Sequence, residues 1–344
     1  MADGSSPRLQ RIADYPALLN EAWAQAHAPR EANAPTVIST FAGCGGSSLG
    51  YHMAGFRELL AVEWEQNAAD TFRLNFPHVP LYHGDIAKLS VDECLRLANV
   101  APGDLDVFDG SPPCQGFSTA GKREIGDARN QLFREYCRLL EGLRPRAFVM
   151  ENVSGMVKGD FKLIFAEILR TLKGCGYRVK ARLLNAMFYG VPQSRERMIF
   201  IGVREDIGRE PSHPAGWSEP VTVGAAIRGT ANDGPVATGD RGNALARMRP
   251  GDSNGGFKFM RHSFGLCRTS ADAVSPAITK QSERHGHPSG DRYLSIAAAK
   301  RIGSFGDPFV MRGTYNDQWE RIGNSVPPLL MRSIARHVRT LIAR

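Results

Sequence analysis

Between Thr36 and Val203 the sequence alternates short apolar runs with stretches of helical length, and few architectures accept that alternation. The runs 37–42, 59–64, 105–109, 147–153 and 198–203 read as strands. The intervening segments 46–55, 65–76, 90–99, 130–143 and 161–174 read as helices. Near-continuous apolar strands separated by helices of 10–15 residues predict a mostly parallel sheet with helices on both faces. An α/β sheet of that kind binds its ligands beyond the carboxyl ends of the strands. After Arg204 the texture changes to Gly, Pro, Ser, Asn and Asp with only short apolar runs, which predicts a smaller, loop-rich domain. A last helix over 326–343 carries an apolar stripe of Val326, Leu330, Ile334, Val338, Leu341 and Ile342. Its simplest role is to pack back on the first domain.

No apolar run approaches the length of a membrane span, and the N-terminus lacks the basic-then-apolar layout of a secretory signal. A cytoplasmic protein is expected. The six cysteines, at 44, 94, 114, 137, 175 and 267, form no C-x-x-C pair and stand at no zinc-ligand spacing to histidine. Reduced thiols, no metal and no disulfide framework follow. The chain has 43 Lys plus Arg against 35 Asp plus Glu, for a net charge of +8. Most of that excess falls between Arg228 and Arg301, where twelve basic residues face six acidic ones. A polyanion suits such a segment, although charge alone equally describes a solvated surface.

The first strand runs into Thr40-Phe41-Ala42-Gly43-Cys44-Gly45-Gly46-Ser47-Ser48, which opens the first helix. Gly43, Gly45 and Gly46 allow positive φ and close approach of a ligand to the backbone. No Gly-Lys-Ser/Thr follows, so this is not a phosphate cradle. The second strand ends in Glu63-Trp64, a carboxylate suited to ribose hydroxyls beside an aromatic face suited to a purine. Gly84-Asp85-Ile86 adds an acid that can take a hydrogen from an adenine amino group. Each has a plain structural alternative: a surface Glu63, a core Trp64, Asp85 as a helix cap. Together, at successive strand ends, they point to an adenosine-containing cofactor.

The third strand leads into Gly110-Ser111-Pro112-Pro113-Cys114-Gln115-Gly116-Phe117-Ser118. Paired prolines stiffen that loop and place a thiol at the tip of a strand, where it can attack a substrate. The fourth strand ends in Glu151-Asn152-Val153, so a carboxyl is expected in the same cleft. Gln193-Ser194-Arg195-Glu196-Arg197 enters the fifth strand. Arginines two apart in extended chain share a face, so one of Arg195 and Arg197 could hold a planar polar group.

In this order, Phe-Ala-Gly-x-Gly-Gly, Glu-Trp, Gly-Asp-Ile, Pro-Pro-Cys-Gln-x-Phe-Ser, Arg-Asn-x-Leu-Phe (129–133), Glu-Asn-Val, Gln-x-Arg-x-Arg and Ile-Gly-Asn-Ser-Val-Pro-Pro (322–328) resemble the DNA (cytosine-5) methyltransferases of bacteria and phages. The resemblance covers residues 36 to 340. It implies a Rossmann-like sheet, S-adenosylmethionine as methyl donor with S-adenosylhomocysteine as product, and a flipped-out cytosine in duplex DNA as substrate. Cys114 would add to C6, Glu151 would hydrogen-bond or protonate N3, and Arg195 would bind O2 and orient Glu151, with Arg197 as its neighbour in the motif. Phe41, Gly43, Gly45, Gly46, Glu63, Trp64, Asp85 and Ile86 would hold the cofactor, and Asn324 and Ser325 would line its methionine end. The domains become an extension over 1–35, a catalytic and cofactor domain over 36–204, a target-recognition domain over 205–311 and a returning segment over 312–344. A monomer in the bacterial cytosol is expected, with duplex DNA as its partner; a cognate restriction endonuclease could act on the same site, but no stable protein partner is implied.

Two departures stand out. Ala297-Ala298 replaces a usual Arg-Glu, and Ser111 replaces a frequent glycine. The variable stretch, 228–274, is short. A tRNA cytosine-5 methyltransferase would share the catalytic layout, but the Cys-Phe-Thr tripeptide expected in its target domain is missing. A non-catalytic DNA-binding relative would be expected to lose Cys114, Glu151 or Arg195, and all three are present.

Overall fold

A computed structural model describes residues 9–113, 128–153, 161–253 and 265–343. The chain divides into two compact units. One, the sheet unit, holds Gln25–Leu184, Glu196–Pro214 and the chain from Met331 on. The other, the loop-rich unit, holds the chain up to Ala24, Asn185–Arg195 and Ala215–Leu330. These limits differ from the sequence expectation, because residues 185–195 and 312–330 group with the loop-rich unit. So does the N-terminal helix α1 (Tyr15–His27) as far as Ala24.

In the sheet unit the chain runs β1 (Thr36–Thr40), α2 (Gly46–Met53), β2 (Arg57–Glu63), α3 (Gln66–Asn75), β3 (Leu81–His83), α4 (Val91–Ala98) and β4 (Val107–Gly110). It continues through α5 (Ala128–Leu143), β5 (Ala147–Val153), α6 (Phe161–Gly174) and β6 (Tyr177–Asn185). After β7 (Gln193–Ser194), which belongs to the other unit, β8 (Glu196–Arg204) completes the sheet. The strand order is β3-β2-β1-β4-β5-β8-β6. From β3 to β5 every pairing is parallel, and β8 runs antiparallel to β5. The fold is therefore α/β with a mostly parallel sheet, as expected. The sheet strands beyond those expected are β3, which is short, and β6, an edge strand whose first side chains alternate between buried and exposed.

Strands buried on both faces carry the core. All five residues of β1 and the first six of β5 are buried. Between β4, β5 and their helices, Phe108 stacks on Tyr136 at 4.9 Å, and Phe148 meets the edges of Tyr136 and Tyr177. Local signals set the helix ends. Glu65 accepts from Asn67 N and Ala68 N to cap α3, and Ser90 caps α4, which ends on Asn99 at φ 52°. Because β1, β2, β4 and β5 are parallel, their carboxyl ends share one edge. The antiparallel β8 brings its start to that edge, with Arg197 opposite Val153. Sheet order reverses between β1 and β4, the place where such folds hold ligands.

The loop-rich unit contains α7 (Val223–Ala226), α8 (Gly239–Arg247), β9 (Cys267–Arg268), β10 (Ser275–Pro276), β11 (His285–Gly286), α9 (Ile296–Ile302) and α10 (Tyr315–Asn324). Strand β7 pairs with β10, and β9 with β11. A small core gathers Ala237, Ala244, Leu245, Met248, Leu266 and Tyr293. The N-terminal extension packs into this unit: Tyr15 Oη donates to Arg301 O at 3.0 Å, and Trp23 meets the edge of Phe309. A final helix, α11 (Pro328–Leu341), ends in the sheet unit, where Arg146 donates to Ile342 O and Ser212 bonds His337.

His285 lies buried against Trp319, and burial, aided by Arg284, lowers its pKa to about 4. Below pH 6.5 the unfolded chain binds a proton that the native ring refuses, so native stability drains as pH falls from 6.5 towards 4. Thermal unfolding is expected to show a midpoint dropping across this window, and His285→Gln is expected to flatten the drop. An equally steep drop in that variant would remove His285 as its cause.

Candidate active site

Residues 41–45 connect β1 to α2 through three left-handed positions: Phe41 at φ 54°, Gly43 at φ 57° and Gly45 at φ 98°. At Gly45 a Cβ would sit 2.3 Å from the Phe76 ring. Gly45→Ala is expected to cost about 2 kcal/mol, from the backbone strain and the forced movement of a buried ring. Denaturant unfolding measures it, and a change below about 0.5 kcal/mol would show that the loop relaxes freely. At Gly43 nothing among the described residues lies within 4 Å of such a Cβ, which leaves its backbone room for a ligand there.

The Glu63 carboxylate braces this loop. Its Oε2 accepts from Gly43 N at 2.7 Å, and its Oε1 accepts from Trp64 N and Glu65 N. A carboxylate has about four acceptor positions. Three being spent on backbone leaves roughly one for a hydroxyl, where the sequence suggested two. Trp64 is not a core residue: 75% of it is exposed, an unusual cost for an indole without a ligand. Asp85 is exposed and accepts from Ala87 N, so it does cap a helical turn, and Ile86 is buried beneath it.

At the next strand ends, Glu151 is buried and its Oε1 lies 2.7 Å from Arg197 Nε. Asn152 reaches the proline loop, donating from Nδ2 to Pro112 O at 3.0 Å. Residues 114–127, and with them Cys114, lie outside the described residues.

The two arginines of the Gln-x-Arg-x-Arg motif part company, each bonding within its own unit. The ion pair to Glu151 belongs to Arg197. Arg195 is buried in the loop-rich unit and donates to Ile278 O at 2.6 Å, Gly323 O at 2.8 Å and Ser325 O at 3.1 Å. It stands between β7 and β8, where the chain leaves one unit for the other, so the two-residue alternation does not hold across it. Ser325 therefore meets Arg195 through its carbonyl, while its hydroxyl donates to Arg321 O. Asn324 is exposed and donates to Glu320.

The model of the C-5 cytosine-specific DNA methylases matches residues 35–223 and 237–340. The chain belongs to this family. The methylase is 37% identical to the type II methyltransferase M1.HphI of Haemophilus parahaemolyticus, over 88% of its own length and 86% of the relative's. It is 32% identical to M.XorII of Xanthomonas oryzae pv. oryzae, over 88% and 84%. Among solved structures, an Escherichia coli prophage-encoded DNA modification methyltransferase superposes with a TM-score of 0.76 at 25% identity, covering 90% of the methylase and all of that chain. The Spodoptera frugiperda DNMT2 structure, at 17% identity and a TM-score of 0.67, shares the fold. The methylase thus transfers a methyl group from a donor to C5 of cytosine in DNA.

Two groups escaped the sequence reading. Asn152 carries no assigned task within its sequence motif, yet its amide anchors Pro112. Asp109, buried near the end of β4, is not singled out by the apolar pattern of its strand.

Proposed function

We propose that the methyl donor is S-adenosylmethionine and that the strand-end residues of the sheet unit supply the chemistry. The observation carrying this reading is the Glu151–Arg197 pair, set on neighbouring strands beside the anchored Pro112 carbonyl. Exposed Trp64, the braced Glu63 and the open backbone at Gly43 fit the adenosine half of that donor. Asp85 and Ile86 complete the adenine side, Phe41, Gly45 and Gly46 shape the loop, and the family resemblance assigns the methionine end to Asn324 and Ser325. When bound, the donor supplies an electrophilic methyl on a sulfonium.

Cytosine C5 is too weak a nucleophile to take that methyl unaided. The Cys114 thiolate adds to C6, and the displaced electron pair of the C5–C6 bond enriches C5. Glu151 hydrogen-bonds N3, where charge develops, and Arg197 both fixes Glu151 and faces O2. The enriched C5 would take the methyl that a donor held by Phe41, Glu63 and Trp64 would supply, with the donor's sulfur as the leaving group. Loss of the C5 proton to a base restores the C5–C6 bond and expels the Cys114 thiolate. The target base has to leave the helix stack, which costs a few kcal/mol. The basic stretch between Arg228 and Arg301 offsets this cost through phosphate contacts. The protein acts as a cytosolic monomer, with a restriction endonuclease of the same specificity as its functional counterpart.

Bisulfite sequencing of host DNA after expression is expected to show one protected cytosine in one short sequence context. Duplexes carrying 5-fluorocytosine at that site should leave a covalent adduct on Cys114, because the fluorine cannot be lost as the proton is. Methylation of tRNA but not duplex DNA in parallel incubations would overturn the substrate, and turnover without any trapped adduct would overturn the covalent route.

A further inference from the structure

Helix α2, which follows the glycine loop, is held by two buried carboxyl groups from strands on either side of β1. Glu58, at the start of β2, accepts from Ser48 Oγ at 2.8 Å and pairs with His52 Nε2 at 3.1 Å. Asp109, at the end of β4, accepts from Tyr51 Oη at 3.2 Å and is hydrogen-bonded by Ser47 as well. Each acid thus takes an i, i+4 pair from one side of the helix, Ser47 with Tyr51 and Ser48 with His52. Asp109 also meets the other end of the loop, because its main-chain carbonyl accepts from Thr40 Oγ1 at 3.0 Å. One residue therefore fastens the backbone just before Phe41 and the helix just after Gly46. In the sequence, Asp109 is followed by Gly110, Ser111, the two prolines and Cys114.

We propose that Asp109 is a positioning residue for methyl transfer, stapling both ends of the glycine loop to the strand that leads to the nucleophile. The proposal rests on the donor site described under Proposed function. Burial, with Glu58 and Glu151 nearby, drives the Asp109 carboxyl well above the usual carboxylate range, against the hydrogen bonds of Tyr51 and Ser47. The neutral acid is thereby favoured, so the site asks for a neutral acceptor of this shape rather than for a charge. An amide meets that requirement and alanine does not.

Equilibrium binding of S-adenosylhomocysteine and steady-state methyl transfer to duplex DNA test this on the full chain. Asp109→Ala is expected to weaken S-adenosylhomocysteine binding at least tenfold and to raise KM for S-adenosylmethionine in step, with a smaller change in kcat. Asp109→Asn is expected to stay within threefold of the parent, a rescue that general loss of packing would not give. Should Asp109→Ala fail to fold, the double variant Ser47→Ala/Tyr51→Phe removes both donors and is expected to show the same tenfold loss. Unchanged affinity in the folded variants, or an Asn variant as weak as the Ala variant, overturns the role of Asp109. A parent protein that binds no S-adenosylhomocysteine overturns the donor reading instead.

Discussion

Arg197→Met is expected to lower kcat/KM for cytosine methylation by about 10²- to 10³-fold, while the protein stays folded. The side chain sits at the start of β8 and holds Glu151 through Nε at 2.7 Å, which leaves the guanidinium's other nitrogens directed elsewhere. One of them, Nη1, donates to the carbonyl of Glu196 and fixes the plane of the group. A fixed, charged fork beside a carboxyl offers a donor to O2 and holds the partner for N3 in one arrangement, which methionine cannot reproduce. Glu151→Gln removes the acid and keeps the shape. If the two residues act as a unit, the double variant loses little beyond the worse single one, whereas independent roles would multiply the losses. Pre-steady-state methyl transfer with a 5-fluorocytosine duplex separates chemistry from release. A loss confined to KM for DNA, with the adduct forming at the parental rate, would move Arg197 out of the reacting site.

Strands buried on both faces announce themselves as apolar runs, and that makes the parallel β1, β2, β4 and β5 and the antiparallel β8 legible. The helix starts were legible for a different reason: Ser90 and Glu65 carry local capping chemistry that tertiary context does not alter. Strand β6 was not, since an edge strand that sets Arg178, Lys180 and Arg182 between its apolar residues offers no continuous apolar run. The Gln-x-Arg-x-Arg motif was visible, yet which arginine meets Glu151 depends on where the chain passes between units, a tertiary fact that no spacing encodes. Residues 185–195 and 312–330 likewise look like continuations of their neighbours until the carbonyls that Arg195 and Gln193 reach, at Ile278, Gly323 and Ile302, show where they belong. The paired donors of α2 lay in plain view at i, i+4. Their acceptors are ten and some sixty residues away, and only the sheet order brings them to the helix.

Arg195→Met is expected to act on the fold, with a loss of about 3–5 kcal/mol in the loop-rich unit. Three main-chain carbonyls converge on the guanidinium, and two of them, Gly323 and Ser325, lie at the C-terminal end of α10. That end carries the negative pole of the helix and carbonyls with no intrahelical donor, so a buried cation there satisfies both needs at once. Methionine fills the volume but donates nothing, stranding three acceptors away from water. Lysine restores the charge without the planar fork, so Arg195→Lys is expected to recover only part of the loss. Calorimetric unfolding should show the Met variant's midpoint lower by about 10 °C. Methyl transfer measured well below that midpoint should fall far less than in the Arg197 variant. The opposite pattern, a stable Arg195→Met protein without activity, would return Arg195 to the substrate-binding role that its place in the motif suggested.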